Sequence, residues 1–325
     1  MKGTAQSGEA WRPPGIFGIA GRDVAPTPAA MFTPDPHPRP LGKSDILVSP
    51  LAWGMWRFTG EVAPARVLVE AALEAGITLF DTADIYGADT PAGFGSAEAL
   101  FGQVLAEAPS LRDAMVIATK GGIRPGNPYR SDAGYLPEAV DASLGRMGIE
   151  RIDLYQIHRR DFLTHPQEVA ASLTRMVEQG KVRGIGVSNH SPAEVDALQA
   201  FLDLPILSTQ PEFSPLHPQP LFDGVLDQAM TRGMAVLGWS PLGGGRLSGG
   251  DHPATLLLRD HGQRFDVDAA TAALSWSMAH PAGVIPIVGS QNADRIRAAA
   301  GALRVSWTHA EWYAVLQAGM GATLP

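Results

Sequence analysis

Apolar runs and amphipathic segments alternate along the chain from Leu41 onward. Short runs rich in Val, Ile and Leu predict strands, and segments with apolar residues every three or four positions predict helices that bury one face. The predicted strands are 51–54, 77–81, 115–119, 152–157, 184–187, 206–209, 235–239 and 284–287. The predicted helices are 66–75, 96–105, 138–147, 166–178, 192–201, 219–231, 268–279 and 293–303.

Glycines follow four of these helices, at Gly76, Gly148, Gly180 and Gly233. Glycine commonly ends a helix because it adopts the left-handed backbone conformation without a steric cost. Strand and helix units that alternate eight times favour a parallel sheet closed on itself, and the sequence therefore predicts an α/β fold, the (β/α)8 TIM barrel. In such a barrel we expect the active site at the C-terminal ends of the strands.

The first 37 residues differ from the rest of the chain. They are rich in Pro, Gly and Ala and show neither helical nor strand periodicity. The apolar stretch GIFGIAG is short and flanked by prolines, and no convincing small-residue cleavage site follows it, so it does not resemble a signal peptide. We predict a loose extension over residues 1–37 and the barrel domain over residues 38–325.

Polar side chains stand where three consecutive predicted strands end. The segment FDTADIYG supplies Asp81 and Tyr86, MVIATKGG supplies Lys120, and IDLYQIHRRD supplies His158. The intervals from Asp81 to Lys120 and from Lys120 to His158 are nearly equal, as one strand and helix repeat would make them. We therefore expect these residues on the same rim of the barrel.

An acid, a phenol, an amine and an imidazole are the groups needed to move a proton to a carbonyl oxygen. Tyr86 is the natural proton donor, but an unperturbed phenol has a pKa of about 10 and needs a nearby cation to stabilise the phenolate. Lys120 can supply that cation, and Asp81 can keep the lysine charged and oriented. His158 can align the carbonyl or assist the proton transfer.

Each of these residues also has an ordinary structural role, as a helix cap, a core tyrosine or a surface charge. A rival enzyme class is a metal-dependent hydrolase with Asp81, Asp84, His158 and His165 as ligands. The sequence lacks the HxH strand signature of that class, and Lys120 would have no simple role in such an enzyme, so we predict no metal site. A second alternative is a non-catalytic protein that binds NADPH as a redox sensor or scaffold, because a fold does not guarantee turnover.

The chain resembles the aldo-keto reductases. The family's catalytic Asp, Tyr, Lys and His match Asp81, Tyr86, Lys120 and His158, and the likeness runs from about Arg39 to the C-terminus, with the greatest similarity to bacterial members. The further matching segments are GKVRGIGVSNHS, STQPEFSPL, GWSPLGGGRL and PIVGSQNADRI.

A nicotinamide cofactor must supply the hydride, because no side chain can deliver one. The chain has no GxGxxG motif joined to a first strand and helix, so a Rossmann domain is not expected. The resemblance implies instead that the cofactor lies extended across the barrel rim. It implies that Ser188, Asn189 and Gln210 hold the carboxamide and that Trp239 stacks on the nicotinamide ring, in place of the more common Tyr.

The resemblance implies further cofactor contacts at other strand ends. The expected residues are Gly54, Trp56, Ser240, Leu242, Gly244, Gly289, Ser290 and Arg295. The loop that begins at Ser240 is rich in glycine, which lets backbone N–H groups approach a pyrophosphate.

Ser290 and Arg295 match positions that contact a 2′-phosphate in the family, so we expect NADPH in preference to NADH. Two residues depart from the family pattern. Gly289 stands where some members have a phosphate-binding Lys, and Ala299 stands where many have an Asn that contacts the adenine.

The Cys content, the net charge and the length of the apolar runs are consistent with this function. The 325 residues contain no Cys, which excludes disulfides and thiolate metal sites, and the formal charge of −8 argues against a nucleic-acid partner. No apolar run of 18 residues is present, so we expect no membrane-spanning helix and a cytoplasmic protein. The expected partner is a small-molecule carbonyl substrate, in a pocket lined by Trp56, Tyr86, His158 and His190. The sequence carries no signal for the oligomeric state.

Overall fold

The computed structural model of the protein describes residues 31–126 and 128–324. A short antiparallel hairpin of β1 (Arg39–Pro40) and β2 (Leu47–Val48) precedes the barrel. Eight parallel strands then pair in chain order, the last of them also pairs with the first, and they close into a barrel. They are β3 (Ala52–Gly54), β4 (Leu79–Asp81), β5 (Val116–Gly121), β6 (Ile152–Ile157), β7 (Val182–Ser188), β8 (Ile206–Gln210), β9 (Ala235–Gly238) and β10 (Ile285–Val288). The predicted (β/α)8 TIM barrel is confirmed.

Helices cover the outside of the strands. The structure contains α1 (Val62–Glu74), α2 (Ser96–Glu107), α3 (Tyr135–Met147), α4 (Pro166–Glu178), α5 (Pro192–Gln199), α6 (Val225–Arg232), α7 (Pro253–Gln263), α8 (Ala269–Met278), α9 (Ala293–Ala298) and α10 (His309–Met320). The four glycines predicted to follow helices all have positive φ angles, between 63° and 76°.

The hairpin, which the sequence pattern did not predict, closes one end of the barrel. Its apolar side chains Leu41, Ile46 and Val48 are buried in one cluster with residues near the N-terminal ends of the strands, such as Leu79 and Ile285. Because this end is filled by apolar packing, the C-terminal ends of the strands are left for the site.

Two predicted helices are interrupted or change to 3₁₀ geometry in the structure. The helix predicted over 219–231 is interrupted, because Gly224 has a φ of 83° and separates a short 3₁₀ turn from α6. The helix predicted over 293–303 changes to a 3₁₀ helix after Ala298. Helices α7 and α10 were not predicted.

Residues 1–30 of the proposed N-terminal extension lie outside the described residues. The structure places Phe32 in an isolated antiparallel bridge with Trp307, whose backbone groups exchange two hydrogen bonds of 2.8 and 2.9 Å. Within the described part of the chain, no helix is both long enough and apolar enough to cross a membrane.

Candidate active site

Three of the four predicted catalytic side chains are directly hydrogen-bonded at the C-terminal rim. Asp81 is the last residue of β4, Tyr86 lies in the turn that follows, and Lys120 lies near the end of β5. The Lys120 ammonium donates to Asp81 Oδ2 at 2.7 Å, to the Thr82 carbonyl at 2.8 Å and to the Tyr86 hydroxyl at 3.1 Å. All three donors of the ammonium therefore have partners.

Lys120 is completely buried, and its charge depends on this arrangement. Burial disfavours the charged amine, but the Asp81 carboxylate and the Tyr86 hydroxyl oppose burial and together raise the pKa of Lys120 above its ordinary value. The lysine is therefore an ammonium at neutral pH. This is the role that the sequence predicts for Asp81.

Tyr86 remains a neutral phenol in this environment. The side chain is 8% exposed, and burial raises its pKa, while the neighbouring Lys120 charge lowers it. The net direction is upward, so the lysine offsets the effect of burial only in part. Tyr86 thus keeps a proton that it can donate, and Lys120 is in position to stabilise the phenolate that remains.

His158 follows β6 directly, and its ring centroid lies 6.1 Å from that of Tyr86. Burial, together with the positive charges of Lys120 and Arg159, lowers the pKa of His158 well below its ordinary value. The ring is therefore neutral at physiological pH. Its Nδ1 is buried and has no hydrogen-bond partner among the described residues.

Two glutamines support Asp81 on its other side. Gln210 Nε2 donates to Asp81 Oδ1 at 2.9 Å, and Gln156 Nε2 lies 3.4 Å from the same oxygen. Gln156 was missed from the sequence, although it is a polar residue within the apolar strand IDLYQI and lies two positions before His158. That spacing places both side chains on the same face of the strand.

The ligands expected for a metal-dependent hydrolase are not gathered into one site. Asp81 is paired with Lys120, Asp84 accepts a hydrogen bond from Tyr135, and His165 caps the start of α4. No group of three or more His, Asp or Glu side chains in the described ranges is arranged to hold a metal ion.

The residues proposed to hold the carboxamide lie at neighbouring strand ends. Ser188 and Gln210 end β7 and β8, and the Ser188 hydroxyl donates to the Gln210 carbonyl at 3.0 Å. Asn189 has a φ of 56° and donates to Ser188 Oγ at 2.8 Å, while its Oδ1 accepts from the Trp239 indole at 2.9 Å. Since Gln210 Nε2 is already bonded to Asp81, its Oε1 is the atom left to meet a carboxamide.

Two other predicted cofactor residues lie beside Asp81 and Tyr86, at the end of β3 and in the turn that follows. Gly54 pairs in register with Asp81. Trp56 is 56% exposed, and its ring packs edge-on against Tyr86 with centroids 5.0 Å apart. The indole therefore borders the Tyr86 phenol and faces solvent.

The loop after β9 is a succession of tight turns. Ser240 has a φ of 53°, and its Oγ accepts from the Gly244 N–H at 3.0 Å. Gly245 and Leu247 both donate their N–H groups to the Leu242 carbonyl. Positive φ values at non-glycine residues are uncommon and are found often at functional sites, and here two of them, Asn189 and Ser240, lie on the rim.

The last group of predicted cofactor residues follows β10. Gly289 is exposed, Ser290 Oγ accepts from the Asn292 N–H at 3.2 Å, and the exposed Arg295 lies in the first turn of α9. Gln291, which was missed from the sequence, has a buried Nε2 with no hydrogen-bond partner among the described residues.

The chain belongs to the aldo/keto reductase family, whose model matches residues 50–318. It is therefore an NAD(P)H-dependent oxidoreductase that acts on carbonyl compounds. It is 51% identical to the 6-dehydroglucose reductase of Novosphingobium aromaticivorans over 88% of this chain and 97% of that protein. It is 37% identical to the 6-dehydroglucose reductase of Agrobacterium fabrum over 86% of this chain and 98% of that protein.

A solved structure of a thermostable aldo-keto reductase, Tm1743 in complex with the inhibitor epalrestat, has the same fold. It superposes with a TM-score of 0.74 and 22% identity, and the match covers 87% of this chain and 99% of that chain. At this level of identity the likeness supports the barrel architecture alone.

Proposed function

We propose that this protein reduces the aldehyde of 6-dehydroglucose to the primary alcohol of glucose and that it uses NADPH. The observation that carries the chemistry is the hydrogen-bonded chain in which Lys120 contacts both Asp81 and Tyr86. The substrate is inferred from the names of the two relatives that match nearly their whole length.

The side chains have separate roles in this reaction. Tyr86 donates its proton to the carbonyl oxygen, and Lys120 stabilises the resulting phenolate while Asp81 holds the ammonium in place. His158, which is neutral, orients the carbonyl oxygen beside the phenol. When bound at this rim, a nicotinamide cofactor would supply the hydride for the carbonyl carbon.

The residues of the rim fit a nicotinamide dinucleotide. Ser188, Asn189 and the free oxygen of Gln210 offer polar groups for the carboxamide, and the unpartnered Nε2 of Gln291 offers a donor near β10. The preference for NADPH rests on Arg295. Its guanidinium is exposed on α9, where it can pair with a 2′-phosphate.

The surroundings of Tyr86 also suit a sugar. The half-exposed indole of Trp56 offers an apolar face to the C–H groups of a sugar ring. Polar side chains also lie nearby. The positive charge of Arg159 is close enough to lower the pKa of both His158 and His190. A hydroxyl-rich aldehyde therefore has both apolar and polar partners at this rim.

The test is a comparison of substrates with the purified protein. NADPH oxidation is followed with 6-dehydroglucose and with hexanal, an aldehyde of six carbons without hydroxyl groups, and glucose formation is measured by nuclear magnetic resonance. We expect kcat/KM to be at least about tenfold higher for the sugar, because its hydroxyl groups find hydrogen-bond partners that hexanal lacks. Equal values for both aldehydes would contradict the proposed substrate, and cofactor binding without turnover of either would contradict catalysis.

A further inference from the structure

A second group of buried polar side chains lies behind the catalytic residues, on the side of β5 that faces the helices. It consists of Asp84, Tyr135 and Tyr155, which come from the turn after β4, from α3 and from β6. Asp84 is 1% exposed, and its Oδ2 accepts a hydrogen bond of 3.2 Å from the Tyr135 hydroxyl.

Gly121 shows how closely these groups converge. A Cβ atom at Gly121 would lie 2.0 Å from the Tyr155 hydroxyl and 3.3 Å from Asp84 Oδ2. Both the Tyr155 hydroxyl and Asp84 Oδ1 are buried without a hydrogen-bond partner among the described residues. The phenol therefore fills the space that a side chain at position 121 would need.

The electrostatics of this group favour a neutral Asp84. A buried carboxylate with one unpartnered oxygen is costly, because the charge has lost its hydration without full compensation. Glu98, which is also buried, adds a second negative charge nearby, although its own oxygens are bonded to Thr119 and Arg146. Burial first, and the Glu98 charge second, raise the pKa of Asp84 to about 8.

Asp84 is connected directly to the catalytic pair through the backbone. Its N–H donates to the carbonyl of Lys120 at 2.9 Å, and the chain continues from Asp84 to Tyr86 within the same turn. The position of the proton donor relative to the ammonium therefore depends on how this turn sits against β5.

We propose that Asp84 is a positioning residue for carbonyl reduction: its buried carboxyl, held by Tyr135, and its backbone N–H, bonded to the Lys120 carbonyl, fix the turn of Tyr86 against the strand of Lys120. Loss of the Asp84 proton then weakens Tyr86 as an acid. This inference rests on the proposed role of Tyr86 as the proton donor. A negative charge on Asp84 raises the pKa of Tyr86, as does the charge of Asp81. A weaker acid donates its proton to the carbonyl oxygen more slowly.

The sign of the pH dependence follows. Below about pH 8 Asp84 carries its proton and the reduction is fast, and above that pH the rate falls towards a lower plateau. Burial raises the pKa of Tyr86 above its ordinary value, so the titration of the phenol lies above that of Asp84. The titratable and charged groups that face this cluster from the surrounding elements are Tyr86, Glu98, Lys120, Arg124, Arg130, Tyr135, Arg146 and Tyr155.

The experiment measures kcat for 6-dehydroglucose reduction from pH 6 to pH 10 in the wild type, Asp84→Asn and Tyr135→Phe, each profile normalised to its own maximum. We expect a decline near pH 8 in the wild type and its loss in Asp84→Asn, because the amide does not titrate. Tyr135→Phe should move the decline to higher pH, since the hydrogen bond from Tyr135 lowers the pKa of Asp84. A decline near pH 8 that persists in Asp84→Asn would overturn the inference.

A second measurement does not depend on turnover. Infrared difference spectra of the wild type between pH 7 and pH 9 should show the loss of a protonated carboxyl band, and the same difference should be absent in Asp84→Asn. Identical spectra for the two proteins would overturn the inference. Failure of the proposed function has a different signature, because the wild type would then turn over no substrate at any pH.

Discussion

At the scale of single residues, the site depends on a lysine charge that is completely removed from solvent. A buried ammonium is tolerated only where its donors are satisfied and a counter-charge is close, and Lys120 meets both conditions through Asp81, Thr82 and Tyr86. The same contacts place the ammonium beside the phenol. Stability and chemistry are therefore linked at this one side chain.

The charge pair predicts a pattern of stability in a double-mutant cycle. Lys120→Met leaves the Asp81 carboxylate buried without its counter-charge and should lower the free energy of unfolding by about 3–5 kcal/mol. Asp81→Asn leaves the ammonium in the same condition. In the double variant neither charge remains, so its loss of stability in urea unfolding should be clearly smaller than the sum of the two single losses. Additive losses would show that the pair is not coupled.

The proposed catalytic residues could be picked out from the sequence because Asp81, Lys120 and His158 stand at or next to the ends of recognisable strands, and Tyr86 lies in the turn after the first of them. Lys120 is hydrogen-bonded to both Asp81 and Tyr86, and His158 lies on the same rim. Gln156 was missed because a single amide in an apolar strand has no distinctive chemistry until its partner is known. Asp84 was considered only as a metal ligand. Its burial against Tyr135 depends on a helix contact that the local sequence does not encode.

At the scale of elements, left-handed glycines end several of the helices, among them α3, α6 and α10. Gly148 ends α3 with a φ of 63°, and Gly145 lies within the same helix, exposed and with nothing near the position of a Cβ. The two glycines therefore form a matched pair, one in a helical conformation and one in the left-handed conformation.

Substitution by alanine should change stability in opposite directions at these two sites. Gly145→Ala should raise the free energy of unfolding by about 0.5–1 kcal/mol, because alanine favours a helix interior. Gly148→Ala should lower it by about 1–2 kcal/mol, because a Cβ is strained in the left-handed region. Chemical denaturation of both variants tests this, and a change of the same sign at both sites would contradict the explanation.

Helix α9 carries the prediction about cofactor choice. Arg295→Leu should weaken NADPH binding by about ten- to a hundredfold, the loss expected for one charge-assisted hydrogen bond, and should leave NADH binding almost unchanged. Arg297→Leu is the matched control, because Arg297 lies on the same helix but is paired with Glu74 at 2.7 Å. Fluorescence titration of both cofactors measures the effect, and equal losses for NADPH and NADH in Arg295→Leu would exclude contact with the 2′-phosphate.

Helices α7 and α10 and the hairpin were missed from the sequence for different reasons. The buried face of α7 combines Leu258 with small or polar residues such as Thr255 and His261, and Leu256 is 41% exposed, so the apolar and polar positions are mixed. Helix α10 has a signal that was available, the capping box of Thr308 and Glu311. The strands of the hairpin are two residues each, too short for any periodicity to be visible.

At the scale of the whole molecule, the barrel separates packing from chemistry. The hairpin fills the N-terminal end with apolar side chains, and the proposed catalytic residues and most of the proposed cofactor contacts lie at the opposite end. This division follows from parallel strands, whose C-terminal ends all meet at one rim. Substitutions at the rim can therefore alter the chemistry without removing the apolar core at the other end.

Cofactor binding should stabilise the whole fold. A ligand that binds only the native state at a hundred times its Kd adds about 2.7 kcal/mol to the free energy of unfolding. NADPH should therefore raise the melting temperature, and NADH at the same concentration should raise it less. A melting temperature that does not respond to saturating NADPH would contradict the cofactor assignment.

The most direct test of the central claim is the rate of NADPH oxidation by the wild type and by Tyr86→Phe with 6-dehydroglucose, with cofactor binding followed by fluorescence. We expect kcat to fall by at least about a hundredfold in the variant while NADPH still binds, because only the proton donor has been removed. Wild-type turnover in Tyr86→Phe would show that the phenol held by Lys120 is not the acid.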